Sequence, residues 1–150
     1  MSPQTIKIII AATLLLHGLA HGRAFVALLA TAAGVDTSST LPVRSWLFPA
    51  LSLRAAAVIA SVFWLLSTVG FIASALSFWG TFVPGGVWRQ LAVVSAIIST
   101  VGIALFSGIW PGAPSRKLSN IDTVIALVIN LAVLVAILWM QWPPQALFGN

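Results

Sequence analysis

The chain contains no cysteine and no glutamate, and its only side-chain carboxylates are Asp36 and Asp122. Without thiols it has no disulfides, thiolate metal sites or thiol redox chemistry. Two carboxylates in 150 residues also leave little from which to build the paired acids of general acid–base enzymes. Charge of either sign is scarce, at 6% of residues, against about 25% in a soluble domain. A chain that is 60% hydrophobic cannot cover its surface with polar groups, so lipid must be its solvent. The net charge of +5 reflects missing acids as much as present bases. The basic residues are scattered at segment ends and not gathered with stacking aromatics, so nucleic acid is not an expected partner.

What the sequence does have is four long apolar runs: about 6–33, 52–79, 87–110 and 120–142. Each meets the roughly 20 residues needed to cross a bilayer as a helix. Only helices and closed barrels satisfy their own backbone in lipid, and the runs lack the two-residue alternation of barrel strands. The sequence therefore predicts an all-α integral membrane four-helix bundle forming a single domain over 1–150. The first run begins like a leader peptide, but its apolar character resumes after Arg23, so it reads as a spanning helix.

Breakers separate the runs: Gly34 to Pro42, Pro84-Gly85-Gly86, and Pro111-Gly112-Ala113-Pro114. The short later links make the last three helices antiparallel neighbours. The longer first link carries Trp46, Leu47 and Phe48 near Arg44 and reads as a segment resting on the membrane surface. Ser119 and Asp122 form a Ser-x-x-Asp capping box, which predicts the start of the fourth helix there. Arg23, Arg44, Arg54, Arg116 and Lys117 fall on one side of the membrane, and Lys7 and Arg89 on the other. The excess predicts both termini outside a bacterial inner membrane. Trp79, Trp88, Trp139 and Trp142 are expected at one interface, Trp46 and Trp110 at the other, and Trp64 in the packing.

Among so few ionisable groups, His17 and His21 stand out, because ionisable residues at membrane depth are functional candidates by default. Their spacing of four puts them on one helix face, in line with Thr13 and Ala24, while Gly18 and Gly22 leave room for a neighbouring backbone. That face should point into the bundle. Ser67, Gly70, Ser74 and Ser77 line one side of the second helix, Ser95, Ser99 and Gly102 the third, and Asn130 lies in the fourth. These predict a polar seam of His17, His21, Ser67, Ser74, Ser99 and Asn130.

Several roles fit such a pair. Neutral histidines can bond across the bundle to Ser, Thr or Asn and align the helices, and histidine can also handle protons near neutrality. As metal ligands, His17 and His21 need at least one more donor, from Asp122, Asn130 or a second protomer. Two histidines on one face cannot be the opposed axial ligands of a haem within one chain, although one can serve with water or a partner residue. Arg23 either snorkels to the interface or pairs with Asp122 or Asp36, of which Asp122 is better placed. Asp122 read by itself is a helix-start acid favoured by the dipole.

The stretch Leu16-His17-Gly18-Leu19-Ala20-His21 followed by Phe25, together with Leu41-Pro42, Ser99 with Trp110, and Asn130, resembles a widespread group of small uncharacterised bacterial four-helix membrane proteins. The resemblance implies the architecture and no activity; Gly22-Arg23 departs from the group's usual small neutral residue. The expectation is a non-enzymatic protein without a cofactor, binding a small or lipid-like ligand in the seam or serving a larger membrane complex. A metal- or haem-binding redox subunit using His17 and His21 is the alternative, and an oligomeric transporter a third reading.

Overall fold

The computed structural model describes residues 2–35, 41–81, 85–106 and 110–144. Among these residues four α-helices follow one another, α1 (Pro3–Ala32), α2 (Leu53–Trp79), α3 (Trp88–Leu105) and α4 (Arg116–Leu134), with a single 3-10 turn, Gly85–Val87, leading into α3. A wider π turn, Val135–Trp139, extends α4, so its apolar segment runs over Arg116–Trp139. All four are long and apolar enough to cross a membrane, and the chain is an all-α four-helix bundle of the multi-pass membrane type.

Local chemistry explains the helix starts. Ser2 caps α1 by accepting the Thr5 N–H, with Pro3 in the first turn where its missing N–H costs nothing. Ser52 caps α2 through the Ala55 N–H, and Gly80 ends it at φ 74°, in the left-handed region. The fourth helix begins one turn earlier than the sequence suggests. Ser115, not Ser119, is its cap and accepts the Leu118 N–H at 3.3 Å. Ser119 is fully buried and its hydroxyl instead accepts the Trp110 N–H, so the Ser119–Asp122 capping box does not form. Asp122 accordingly lies well inside α4 and is no helix-start acid.

The bundle has an apolar core, with Leu14, Leu28, Trp64, Phe71, Ile103 and Phe106 buried, but it also exposes large apolar side chains and buries polar ones. Ile8, Leu16, Leu19, Val26, Val62, Val69, Val94, Val128 and Leu131 point outward, whereas His17, His21, Ser67, Ser74, Ser95, Ser99, Ser119 and Asn130 are buried. Lipid tails are as apolar as leucine, so burying leucine between helices gains little, and close packing and interhelical hydrogen bonds hold such bundles together. Small residues provide the packing. A methyl group added at Gly18 would meet Ile72 Cγ1 at 2.9 Å and the Ile72 backbone nitrogen at 3.2 Å. At Gly102 it would meet Phe63 Cβ at 2.8 Å. Gly18→Val is therefore expected to destabilise the protein in detergent by about 2 kcal/mol through overpacking. Gly86→Ala, where the added carbon meets open space, should not. Equal melting of the two variants would refute close α1–α2 packing at Gly18.

α1 packs along α2, α2 along α3, and α3 against α4, whereas the α1 and α4 backbones stand further apart. That looser α1–α4 junction is where the polar chemistry gathers.

Two tryptophans depart from their expected interfacial places. Trp110 is 2% exposed and folds back into the bundle, with its ring centroid 5.2 Å from that of His21 and 6.1 Å from that of Trp64. The third helix ends at Leu105, short of the predicted 110, which lets Trp110 turn inward. Trp88 is buried edge-on against Phe78, with centroids 4.8 Å apart. Trp46, Trp79 and Trp139 are exposed, as a membrane interface requires.

Candidate functional site

The site is a closed hydrogen-bond ring near the middle of the bundle. The His17 carbonyl lies 3.0 Å from His21 Nδ1. A carbonyl can only accept, so neutral His21 carries its proton on Nδ1 and accepts at Nε2. The Ser99 hydroxyl, 2.7 Å from Nε2, donates its own hydrogen there. Ser99 Oγ in turn accepts from the Asn130 amide at 2.8 Å, and the second amide hydrogen goes to Thr100 Oγ1 at 3.2 Å. Thr100 passes its own proton to the Ala96 carbonyl at 2.7 Å. Asn130 Oδ1 then accepts from His17 Nε2 at 2.9 Å, which closes the ring and fixes the opposite tautomer on His17.

Every donor in this ring has an acceptor, and three helices are tied by one asparagine. Such fully satisfied polar networks strengthen each other in a low-dielectric interior, and they specify one register among helices that could otherwise slide.

The ring contains four of the six residues expected in a polar seam: His17, His21, Ser99 and Asn130. Ser67 and Ser74 are buried but lie outside it. The Ser67 hydroxyl donates to the Phe63 carbonyl of its own helix at 2.8 Å. That of Ser74 donates to the Trp88 carbonyl at 2.8 Å and ties α2 to the start of α3. Phe71 lies between them on the same α2 stripe and meets the histidines instead, with its ring centroid 4.6 Å from that of His17. An aromatic face, not a hydroxyl row, is what α2 offers. Thr100 and Phe71 are the members that a reading of the sequence overlooks.

One turn and a half beyond His17, Arg23 Nη2 donates to Asp122 Oδ2 at 3.0 Å, a second polar tie between α1 and α4. The guanidinium is 69% exposed and the carboxylate 31%, so the pair sits toward the edge of the bundle. Asp36, the other partner considered, lies outside the described residues.

Two cavities flank the ring along the α1–α4 junction. Toward the start of α1 is an apolar cleft of about 310 Å³, whose lining includes Ile10, Thr13, Leu14, Trp88, Ala132 and Ile137. Among the described residues that line it, Thr13 alone carries a side-chain hydroxyl. On the other side is a small space of about 60 Å³ among His17, Arg23, Trp110 and Asp122. His17, bonded to Asn130, lines the smaller of the two.

The metal alternative finds Asn130 bonded to His17 and Asp122 engaged by Arg23. Among the described residues no group of three or more His, Cys, Asp or Glu comes together, so a metal held by both His17 and His21 would have to break the ring and find a further ligand outside it. Comparison with family models, curated proteins and solved structures returns no match. The functional reading therefore stands on geometry.

Proposed function

We propose that this is a small bacterial inner-membrane protein, with its basic end in the cytoplasm and both termini outside, that binds a lipid-like molecule without chemically changing it. The ligand's hydrocarbon portion occupies the cleft between α1 and α4. The observation that carries this reading is the cleft itself. Its 310 Å³ falls at the lower end of ligand-site volumes, about 300–1,000 Å³, and among the described residues its lining is apolar apart from Thr13 and the two indoles of Trp88 and Trp142. The π turn at Val135–Trp139 contributes Ala136 and Ile137 to one wall, and π turns recur at functional sites.

The ring supports the same reading from the other direction. Its donors are satisfied within the protein, which suits a rigid floor that positions α1 against α4 better than a catalytic group awaiting a substrate.

The test is a photoactivatable fatty-acyl lipid incorporated into proteoliposomes. We expect cross-links to map to Ile10 and Ala132, and Ala132→Trp, which fills the cleft, to reduce them about tenfold. Cross-links spread evenly over the outward residues Leu19, Val62 and Leu131 would overturn the reading, since they would show only bulk lipid contact.

A further inference from the structure

The end of the bundle away from the cleft carries cations that the chain cannot neutralise. The Leu41 N–H donates to the Ala113 carbonyl at 3.2 Å and the Ser45 hydroxyl to the Leu105 carbonyl at 3.0 Å. The Trp46 indole N–H donates to the Ala104 carbonyl. These bonds pin the α1–α2 linker across the end of α3 and the α3–α4 connection. Arg44, Arg54, Arg116 and Lys117 are thereby brought to one end of the molecule. The whole sequence has only two Asp, and Asp122 is engaged by Arg23. The four cations outnumber the side-chain carboxylates left to them, so part of their counter-charge must come from outside the chain.

Arg44 lines a cavity. A space of about 230 Å³ is lined by Arg44, Ser45, Phe48, Pro49 and Leu51, among others. The Ser45 hydroxyl there is already committed, donating to Leu105 and accepting the Phe48 N–H at 3.2 Å. Among the described residues the Arg44 guanidinium has no hydrogen-bond or ion-pair partner. A guanidinium presents forked donors that match phosphate oxygens. Beside it Trp46, Leu47 and Phe48 are exposed, Trp46 at 64%. A tryptophan and its apolar neighbours next to cations, at a helix end, sit at headgroup depth with their rings among the upper acyl chains.

We propose that this cavity binds the phosphate of an anionic phospholipid through Arg44, with Trp46, Leu47 and Phe48 seated in the acyl layer below. Free phosphate shares the phosphate chemistry but makes no use of the exposed apolar triplet, which is why the lipid is the occupant. The site is separate from the α1–α4 cleft, at the other end of the helices, and does not depend on the cleft holding a ligand.

The experiment is native mass spectrometry of the purified full chain offered phosphatidylglycerol or phosphatidylcholine. It compares the wild type, Arg44→Gln and Arg116→Gln, with excess inorganic phosphate as competitor. Arg44 is exposed and has no partner among the described residues, so its replacement leaves the fold in place. The expected result is retention of one phosphatidylglycerol, favoured about tenfold over phosphatidylcholine, with that preference lost in Arg44→Gln and kept in Arg116→Gln. Equal losses in the two variants would show a diffuse charge effect and overturn the proposal. So would a wild type with no headgroup preference, or complete displacement by inorganic phosphate, which would assign the site to a free anion.

Discussion

Replacing Asn130 with leucine is expected to lower the unfolding free energy in detergent by about 2–3 kcal/mol, well above a typical interhelical hydrogen bond in a membrane protein, which averages about 0.6 kcal/mol. The excess arises because Asn130 serves three partners on two other helices: His17, Ser99 and Thr100. Its removal leaves the His17 Nε2–H buried without an acceptor, and an unmet buried donor costs about 1–3 kcal/mol. The double variant His17→Leu with Asn130→Leu should recover part of the loss, since no orphaned donor then remains between α1 and α4. Ser67→Ala supplies the control, because that hydroxyl bonds only within its own helix. Denaturant titration in a mild detergent reads all four proteins. If Asn130→Leu proves no more harmful than Ser67→Ala, the ring does not hold the bundle together.

The parts of this arrangement legible in the sequence are those set by one-dimensional rules. Span length and the lack of alternation identify four helices, and the spacing of four with the high cost of placing imidazoles against lipid turns His17 and His21 inward. The pairing between helices is a different matter. It depends on how far α3 and α4 are displaced along their axes, which no single helix encodes. Thr100 shows the difficulty. It neighbours Ser99 in sequence and so points about 100° away around the helix, yet the two hydrogens of one Asn130 amide reach both hydroxyls.

The start of α4 is ambiguous in the sequence for a related reason. Ser115 and Ser119 are one turn apart and either can cap. The Asp three residues after Ser119 favours the wrong one, because the buried Trp110 N–H, which claims the Ser119 hydroxyl, is invisible locally. That one substitution of partners moves Asp122 into the body of α4, where it meets Arg23. The chain's one carboxylate within a described helix thus ties α4 to α1 and does not cap its own helix.

Trp110→Ala should prove the most damaging single truncation in the chain, at about 3–5 kcal/mol, the range for removing a buried tryptophan. In lipid this cost is lost packing more than lost hydrophobic burial, because the emptied volume has no solvent to refill it. Trp110 holds His21 edge-on and touches Trp64, so its removal opens a void against the ring and beside the small space shared by His17, Arg23 and Asp122. Trp79→Ala is the matched control, an interfacial tryptophan that is 50% exposed, and should cost well under half as much. Trp110→Phe, which keeps an aromatic ring against His21, should recover most of the stability. The same measurement decides between two places for Trp110. A belt residue would show equal losses for Trp110→Ala and Trp79→Ala and a shift of membrane depth, whereas a core residue shows the large loss and weakens the ring with it. Combining Trp110→Ala with Asn130→Leu sharpens the distinction. If both act on the same His21-centred assembly, their effects will sum to less than the two taken separately, because the second change finds the ring already broken.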